Sequence, residues 1–335
     1  MSLHEEIRTK GTPVRRFFEE NFPNVNAVRK DLAARARDAV TTRPLESANY
    51  PWTATGSAID YRIRLAFPHA SSYLPRWEDA SPLSGFSLAI DSKLPRPFPA
   101  EIAASCGEPY GPFQSWAGAF FQELHSVLGA AHANDEDPAK QPDPALEEKL
   151  VQLCYVLGLY DSLHHGEPAV RSPLYERLNF LPSLVSITDA LSLLCPPHVT
   201  ADLVTMTTRF YEEHRGLLDA ARVELSPTFA GSSEIGGADA DLIVGNCLID
   251  VKALVDPVKY SHPWPWQLLG YSLLDFEDTW EIKNVAIYLA RQARLIEWSL
   301  EELCLMLGGS GQEPLSKVRI AFQHAVTTMA RENMS

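Results

Sequence analysis

Residues 229–253 read F-A-G-S-S-E-I-G-G-A-D-A-D-L-I-V-G-N-C-L-I-D-V-K-A, and this stretch decides the fold. Two apolar runs, 240–244 and 247–251, flank the dipeptide Gly245-Asn246. A two-residue connection of this composition between apolar runs is typical of a β-hairpin. The sequence therefore predicts two antiparallel strands joined by a tight turn.

The length of the turn fixes which residues face each other across the hairpin. Residues paired around a two-residue turn have numbers with a constant sum, so Asp241 faces Asp250. Side chains alternate between the faces of a strand, so Lys252 projects on the same face as Asp250. Like charges directly opposite each other are destabilising unless something compensates them. A divalent cation is the simplest compensation, because hard cations prefer carboxylate oxygens.

Two further acids lie close to the hairpin. In the same register Asp239 falls opposite Lys252. This position favours a salt bridge with Lys252 or a ligand role at a second metal. Asp241, which faces Asp250, is therefore the preferred acid. Glu234 stands just before a Gly-Gly pair, where a loop carboxylate is expected, although it could also reach a metal. The sequence leaves open which acid completes the site.

The composition of the 335-residue chain indicates one large domain or two ordinary ones with a packed core. No uncharged apolar run reaches about 18 residues, the length of a membrane-spanning helix. The first ten residues lack an apolar signal core, so we expect a cytoplasmic protein with no membrane partner. Five dispersed cysteines without a C-x-x-C pair favour reduced thiols over a zinc site or a disulfide framework.

The formal net charge of -14 is unevenly distributed. Residues 1–64 carry eleven Lys/Arg against eight Asp/Glu, and the remainder carries eighteen against thirty-five. This acidic balance disfavours tight, sequence-blind DNA binding by the chain alone, but a nuclease site must itself be acidic to hold metal. A basic cluster on a predicted helix at 25–40 is expected to be a solvated helix face rather than a nucleic-acid contact. Trp264 and Trp266 could stack on bases, but they are expected to be packing residues near their loop.

Hydrophobic periodicity divides the rest of the chain into helical segments. A buried strand is predicted at 284–290, and the last helix before the hairpin is predicted at 200–223. The expected organisation is N-terminal helices in 1–50, a first core helix with an irregular connection in 51–111, a helical insertion or subdomain in 112–223, the core in 224–298 and C-terminal helices in 299–335.

Four motifs in this order resemble the PD-(D/E)XK nuclease superfamily, and within it the RecB-like branch. G-S-A-I-D-Y-R-I-R at 56–64 is similar to the first helical motif of that branch. G-G-A-D-A-D-L-I at 236–243 is similar to the second, whose acid opens a strand. I-D-V-K-A at 249–253 contains the D-x-K motif, and Q-L-L-G-Y at 267–271 matches Q-x-x-x-Y on the following helix.

The resemblance implies an α/β, restriction-endonuclease-like core with a small mixed sheet flanked by helices, plus a large helical insertion. It implies Mg²⁺ or Mn²⁺ held by Asp241 and Asp250, with Lys252 as a catalytic residue. A third ligand comes from the first motif, where Asp60 stands at a position that is commonly His. The remaining catalytic candidates of the implied site are Gln267 and Tyr271.

The expected function is metal-dependent hydrolysis of DNA phosphodiester bonds, in DNA repair or in defence against foreign DNA. The partner is nucleic acid, with DNA favoured over RNA, and a protein partner in a multi-component system fits the same resemblance. The alternative is a catalytically inactive nuclease-like fold that serves as a nucleic-acid-binding or assembly module.

Overall fold

The computed structural model describes residues 2–46, 48–68, 110–133, 137, 139–164, 186–238, 240–308 and 314–332. Most of the predicted irregular connection and the acid Asp239 lie outside these residues. The helices are α1 (Leu3–Arg8), α2 (Pro13–Asn21), α3 (Val25–Ala36), α4 (Trp52–Arg64), α5 (Tyr110–Ala131), α6 (Pro144–His164), α7 (Ile187–Leu194), α8 (Pro197–His214), α9 (Pro257–Tyr260), α10 (Trp264–Leu274), α11 (Leu300–Met306) and α12 (Leu315–Glu332). The strands are β1 (Val223–Leu225), β2 (Leu242–Val244), β3 (Cys247–Lys252), β4 (Asn284–Leu289) and β5 (Arg294–Ser299).

The chain forms two compact units. The sheet unit combines Met1–Thr41 with Ala220–Ser335, and the helical unit is Thr42–Asp219. The sheet unit therefore unites the predicted N-terminal helices, core and C-terminal helices, while the first motif lies in the helical unit. The fold is mixed α/β, as predicted. Within the described residues, no helix has the length and apolar character needed to cross a membrane.

The sheet has the order β1-β2-β3-β4-β5. Strand β3 is central; it pairs antiparallel with β2 and parallel with β4, while the outer strands are antiparallel to their neighbours. This confirms a small mixed sheet. Strand β4 is buried at every position after Asn284. This agrees with its apolar sequence, because a strand covered on both faces needs no polar alternation.

The hairpin has the predicted register. Leu242 pairs with Ile249, and Val244 pairs with Cys247 across the turn. Gly245 has a φ of 60°, the left-handed conformation that hairpin turns reserve for glycine at the first central position. Glycine adopts it without the steric cost that a Cβ atom imposes.

The prediction of a helix at 200–223 is wrong at the C-terminal end. Helix α8 ends at His214, a short 3₁₀ segment follows at Arg215–Asp219, and Val223 already belongs to β1. Gly216 weakens the helix at this point, and β1 gains backbone hydrogen bonds from β2 instead. The pairing partner, which is distant in sequence, overrides the local helical pattern.

Helices from both ends of the chain build the core of the sheet unit. Phe18 of α2 stacks on Trp266 of α10 with ring centroids 5.7 Å apart, and Phe322 of α12 lies 5.4 Å from Phe18. The indole N–H of Trp266 donates to the Phe22 carbonyl oxygen at 2.8 Å. Every residue of α10 is buried, so this helix lies inside the unit and does not cover its surface.

The helical unit has its own polar centre. Arg62 of α4 donates to both carboxylate oxygens of Glu147 on α6, at 2.8 and 2.6 Å, and both side chains are buried. The backbones of α4 and α6 approach closely at Gly158, where an added Cβ would lie 2.6 Å from the Ala54 carbonyl oxygen. These contacts fix the position of the helix that carries the first motif.

Candidate functional site

Asp250 lies on the central strand of the sheet and is only 2% exposed. Its neighbours along β3 are apolar, and β2 and β4 pair on either side of it. Lys252, two residues further on, shares its face. The Lys252 Nζ atom lies 2.6 Å from Asp250 Oδ2, with the lysine side chain 21% exposed. The carboxylate is therefore inside the protein, whereas the ammonium reaches its surface.

Asp241 immediately precedes β2 and contacts β3 through its side chain. Its Oδ2 atom accepts a hydrogen bond from the Val251 N–H at 2.6 Å, and its own carbonyl oxygen accepts the Ser226 N–H at 2.8 Å. These bonds hold Asp241 at the point where the β1, β2 and β3 backbones meet. A carboxylate that accepts a backbone N–H makes a charge-assisted hydrogen bond, which is stronger than a neutral one.

The surroundings of Asp250 raise its pKa to about 6. Burial is the largest cause and raises the pKa, the positive charge of Lys252 lowers it, and the negative charge of Asp241 raises it. A desolvated carboxylate beside a second acid is unstable as an anion without additional positive charge. The pair is thus suited to receive a cation.

Trp264 borders Lys252. The lysine Nζ atom lies 6.0 Å from the centroid of the Trp264 ring, at the outer limit of a cation–π contact. Trp264 is the first residue of α10, and it is buried. The ring therefore limits the space available to the lysine side chain on one side.

Gln267 and Tyr271 lie on α10 one turn apart and contact each other. The Gln267 Nε2 atom donates to the Tyr271 hydroxyl at 3.0 Å, and the Tyr271 ring stacks on Phe229 with centroids 6.0 Å apart. Gln267 is 7% exposed, and its Oε1 atom has no hydrogen-bond partner among the residues that the structure describes. Because Trp264 precedes Gln267 by three residues, both side chains point from the same side of α10.

The remaining acids have different positions. Asp60 belongs to the helical unit and forms an ion pair with Arg64, four residues further along α4. Glu234 is exposed on the loop that precedes β2. Asp239 lies outside the described residues. The acid that would complete a site with Asp241 and Asp250 is thus not identified by the structure.

The donor set of the sheet unit fits a hard divalent cation. Among the described residues, no three His, Cys, Asp or Glu side chains converge closely enough to hold a metal. Mg²⁺, however, is commonly bound through one or two carboxylates and retains several waters. Asp241 and Asp250 are the two carboxylates of this set, and a cation would stabilise the charged form of the buried Asp250.

The sequence did not predict the relationship between Trp264 and Lys252. The two residues are separated by a proline-rich connection that gives no periodic signal. Both tryptophans of this segment are buried, so the expectation that they pack is confirmed. The basic residues of α3 are also largely occupied, since Arg29 and Arg35 donate to the carbonyl oxygens of Val258 and Glu297.

Comparisons with protein-family models, with curated proteins and with solved structures find no match to this chain. The resemblance to the PD-(D/E)XK superfamily therefore rests on the four quoted motifs.

Proposed function

We propose that the chain is a metal-dependent nuclease that hydrolyses DNA phosphodiester bonds. The observation that carries the proposal is the buried Asp250 carboxylate, which lies beside Lys252 on its own strand and near Asp241, the residue that precedes β2. An ion pair with a purely structural role would need one acid, whereas this group combines two acids with a single ammonium.

The proposed chemistry needs a cation and a positioned ammonium. A bound Mg²⁺ or Mn²⁺ would supply a Lewis acid that polarises a phosphate oxygen and lowers the pKa of a water molecule. Asp241 and Asp250 are the residues that would hold it. Asp241 already uses one oxygen for the Val251 N–H, so its other oxygen is the one available to a ligand.

Lys252 is the residue that faces the substrate. Its ammonium is held by Asp250 inside the protein and remains partly exposed. From this position it can orient the attacking water or stabilise the negative charge that develops on the phosphate. Gln267 and Tyr271 are proposed to hydrogen-bond the phosphate backbone or to brace the lysine.

The arrangement of elements supports a restriction-endonuclease-like core for this unit. An acidic hairpin is followed by a buried helix and then by a strand parallel to β3. A cytoplasmic role in DNA repair or in defence against foreign DNA, alone or with a protein partner, is the context that the resemblance favours. Asp60 stays a proposed ligand from the first motif.

Purified protein incubated with single- and double-stranded DNA in Mn²⁺ or Mg²⁺ tests the function. Cleavage by the wild type, retained by Lys283→Ala and lost by Lys252→Ala, is the expected result. Lys283 is exposed just before β4, so it is a matched control for the loss of one lysine. Equal cleavage by both variants would refute the role of Lys252. Metal-independent DNA binding without any cleavage would instead favour the inactive binding module.

A further inference from the structure

The connection between β3 and α10 carries an exposed aromatic ring next to a basic side chain. Tyr260, at the end of α9, is 53% exposed. The neighbouring Lys259 ammonium lies 5.2 Å from the Tyr260 ring centroid. Trp264 and Trp266, the other aromatic residues near this connection, are both buried. Tyr260 and the His262 imidazole are thus the exposed rings of this segment, and the His262 ring packs edge-on against Trp266.

Hydrogen bonds from β4 and its following turn fix the first half of this connection. The Gln292 Nε2 atom donates to the carbonyl oxygens of Leu254 and Val255, each at 3.2 Å. The Arg291 Nε atom donates to the Ala253 carbonyl oxygen at 3.0 Å. Side chains that are themselves buried hold the backbone from inside.

Helix α3 fixes the second half. Arg29 donates to the Val258 carbonyl oxygen at 3.0 Å and to the Ser261 hydroxyl at 3.3 Å. The Asp256 side chain accepts the Lys259 N–H at 3.2 Å and caps α9. A surface that is held in place before binding loses less conformational entropy when a ligand binds. The exposed ring is therefore presented on a pre-ordered segment.

Arginine side chains act on the residues that follow this ring. His262, two residues beyond Tyr260, lies near Arg15 and Arg29. Burial and the positive charges of these two arginines lower the pKa of its imidazole. The positive charges of Lys259 and these two arginines favour phosphate, and the carboxylate of Asp256 is the opposing charge of this connection.

The exposed ring and Lys252 are linked through α10. The Trp264 N–H donates to the Ser261 carbonyl oxygen at 3.2 Å, and the Trp264 ring lies 6.0 Å from the Lys252 ammonium. The backbone next to the exposed ring is thus tied to the helix whose first residue borders Lys252.

We propose that Tyr260 stacks on an unpaired base of single-stranded DNA while Lys259 contacts the adjacent phosphate. The single-stranded form follows from the chemistry, because a base within a duplex already has both faces stacked. Base–aromatic stacking tolerates any sequence, so this surface selects for unpaired ends and not for a sequence. The inference rests on the proposed function only in naming DNA as the nucleic acid that binds this surface.

Fluorescence anisotropy in EDTA measures binding without cleavage. The probes are a labelled oligothymidylate of about 16 nucleotides, the upper range for one binding site, and a blunt duplex of matched length. We expect Tyr260→Ala to weaken oligothymidylate binding about tenfold, and Tyr260→Phe to restore it, because phenylalanine keeps the ring. Lys259→Ala should reduce the dependence of log K on log salt by about 0.7. Leu305→Ala removes an equally exposed apolar side chain (58%) from α11 and should bind like the wild type.

A cleavage assay of the same proteins in Mn²⁺ separates this inference from the proposed function. Tyr260-dependent binding by a protein that never cleaves would support the binding surface and refute the nuclease. If the protein cleaves DNA and Tyr260→Ala binds oligothymidylate as tightly as the wild type, the nuclease is supported and the binding surface is overturned. Tighter binding of the blunt duplex than of oligothymidylate would also overturn it.

Discussion

The Lys252 Nζ atom lies 2.6 Å from Asp250 Oδ2, and the carboxylate is buried while the ammonium reaches solvent. This ion pair has an asymmetric consequence. Removal of the ammonium leaves a buried carboxylate without its nearest compensating charge, whereas removal of the carboxylate leaves an ammonium that water can solvate. The two residues are therefore expected to respond differently to substitution.

Lys252→Met keeps most of the aliphatic stem but removes the charge. We expect cleavage to fall by about 10²–10³-fold, the usual effect of losing one preorganised charge-stabilising group. The pKa of Asp250 should rise, because the charge of Lys252 lowers it in the wild type. Initial rates of DNA cleavage measure the first effect, and the carboxyl titration followed by NMR measures the second. An unchanged carboxyl titration would contradict the ion pair itself.

Asp250→Asn is expected to stabilise the metal-free protein at high pH. The pKa of Asp250 is raised from 3.8 to about 6, so the folded state binds this proton more tightly than the unfolded state. The free energy of unfolding therefore falls as pH rises from about 4 to 6, by up to about 3 kcal/mol. In EDTA, the Tm of the variant should exceed that of the wild type at pH 8 and approach it at pH 4. A lower Tm at pH 8 would refute the raised pKa.

Metal should reverse the order of the Tm values of the wild type and Asp250→Asn. A ligand that binds only the folded state raises the Tm by mass action. Saturating Mn²⁺ at pH 8 should therefore raise the Tm of the wild type and leave that of Asp250→Asn nearly unchanged. Equal shifts in both proteins would place the metal elsewhere.

Asp241 has a structural and a proposed ligand role that substitutions can separate. Asp241→Asn keeps an oxygen that can accept the Val251 N–H, whereas Asp241→Ala removes it. We expect Asp241→Ala to lose about 1–3 kcal/mol in the free energy of unfolding, and Asp241→Asn to lose less. Both variants should lose the Mn²⁺-dependent rise in Tm. Urea denaturation and thermal melting measure the two effects, and retention of the metal response by Asp241→Asn would argue against the ligand role.

The close approach of α4 and α6 gives a prediction for the helical unit. An added Cβ at Gly158 would lie 2.6 Å from the Ala54 backbone carbonyl oxygen, which cannot move without shifting α4. Gly158→Ala should therefore destabilise the protein by about 1–3 kcal/mol. Gly129→Ala is the matched control, because nothing lies within 4 Å of its added Cβ, and it should be neutral or slightly stabilising. Circular dichroism melting of both variants would show equal Tm values if the helices were not in contact.

The hairpin and its charged face were predictable because the information is local. A two-residue turn sets the register, and the period of two sets the face of each side chain, so the Asp250–Lys252 pair followed from adjacent residues. Strand β5 was not predicted. Its sequence R-L-I-E-W-S leaves Arg294 and Glu297 exposed, and such an edge strand is defined by its pairing with β4 more than by its own pattern.

The motif on α4 did not predict that this helix belongs to the helical unit. The residues around Asp60 follow the motif of the first core helix, but Arg62 pairs with Glu147 inside the helical unit. No local sequence pattern predicts Glu147 as the partner of Arg62, because the two residues belong to separate amphipathic helices. The surroundings of Lys252 depend on the same kind of long-range contact, since Trp264 reaches it only through the path of a proline-rich connection.

The division of the sheet unit between the two ends of the chain has a consequence for biosynthesis. Phe17 near the N-terminus packs against Phe322 near the C-terminus, with ring centroids 5.1 Å apart. During translation the helices of residues 1–41 leave the ribosome long before their partners exist, while residues 42–219 are already complete and can fold as a contiguous unit. We expect the helical unit to fold early and to shorten the loop that must close, because a shorter loop lowers the entropic cost of joining the two ends. The order of synthesis thus gives the intervening helices a role in assembling the sheet.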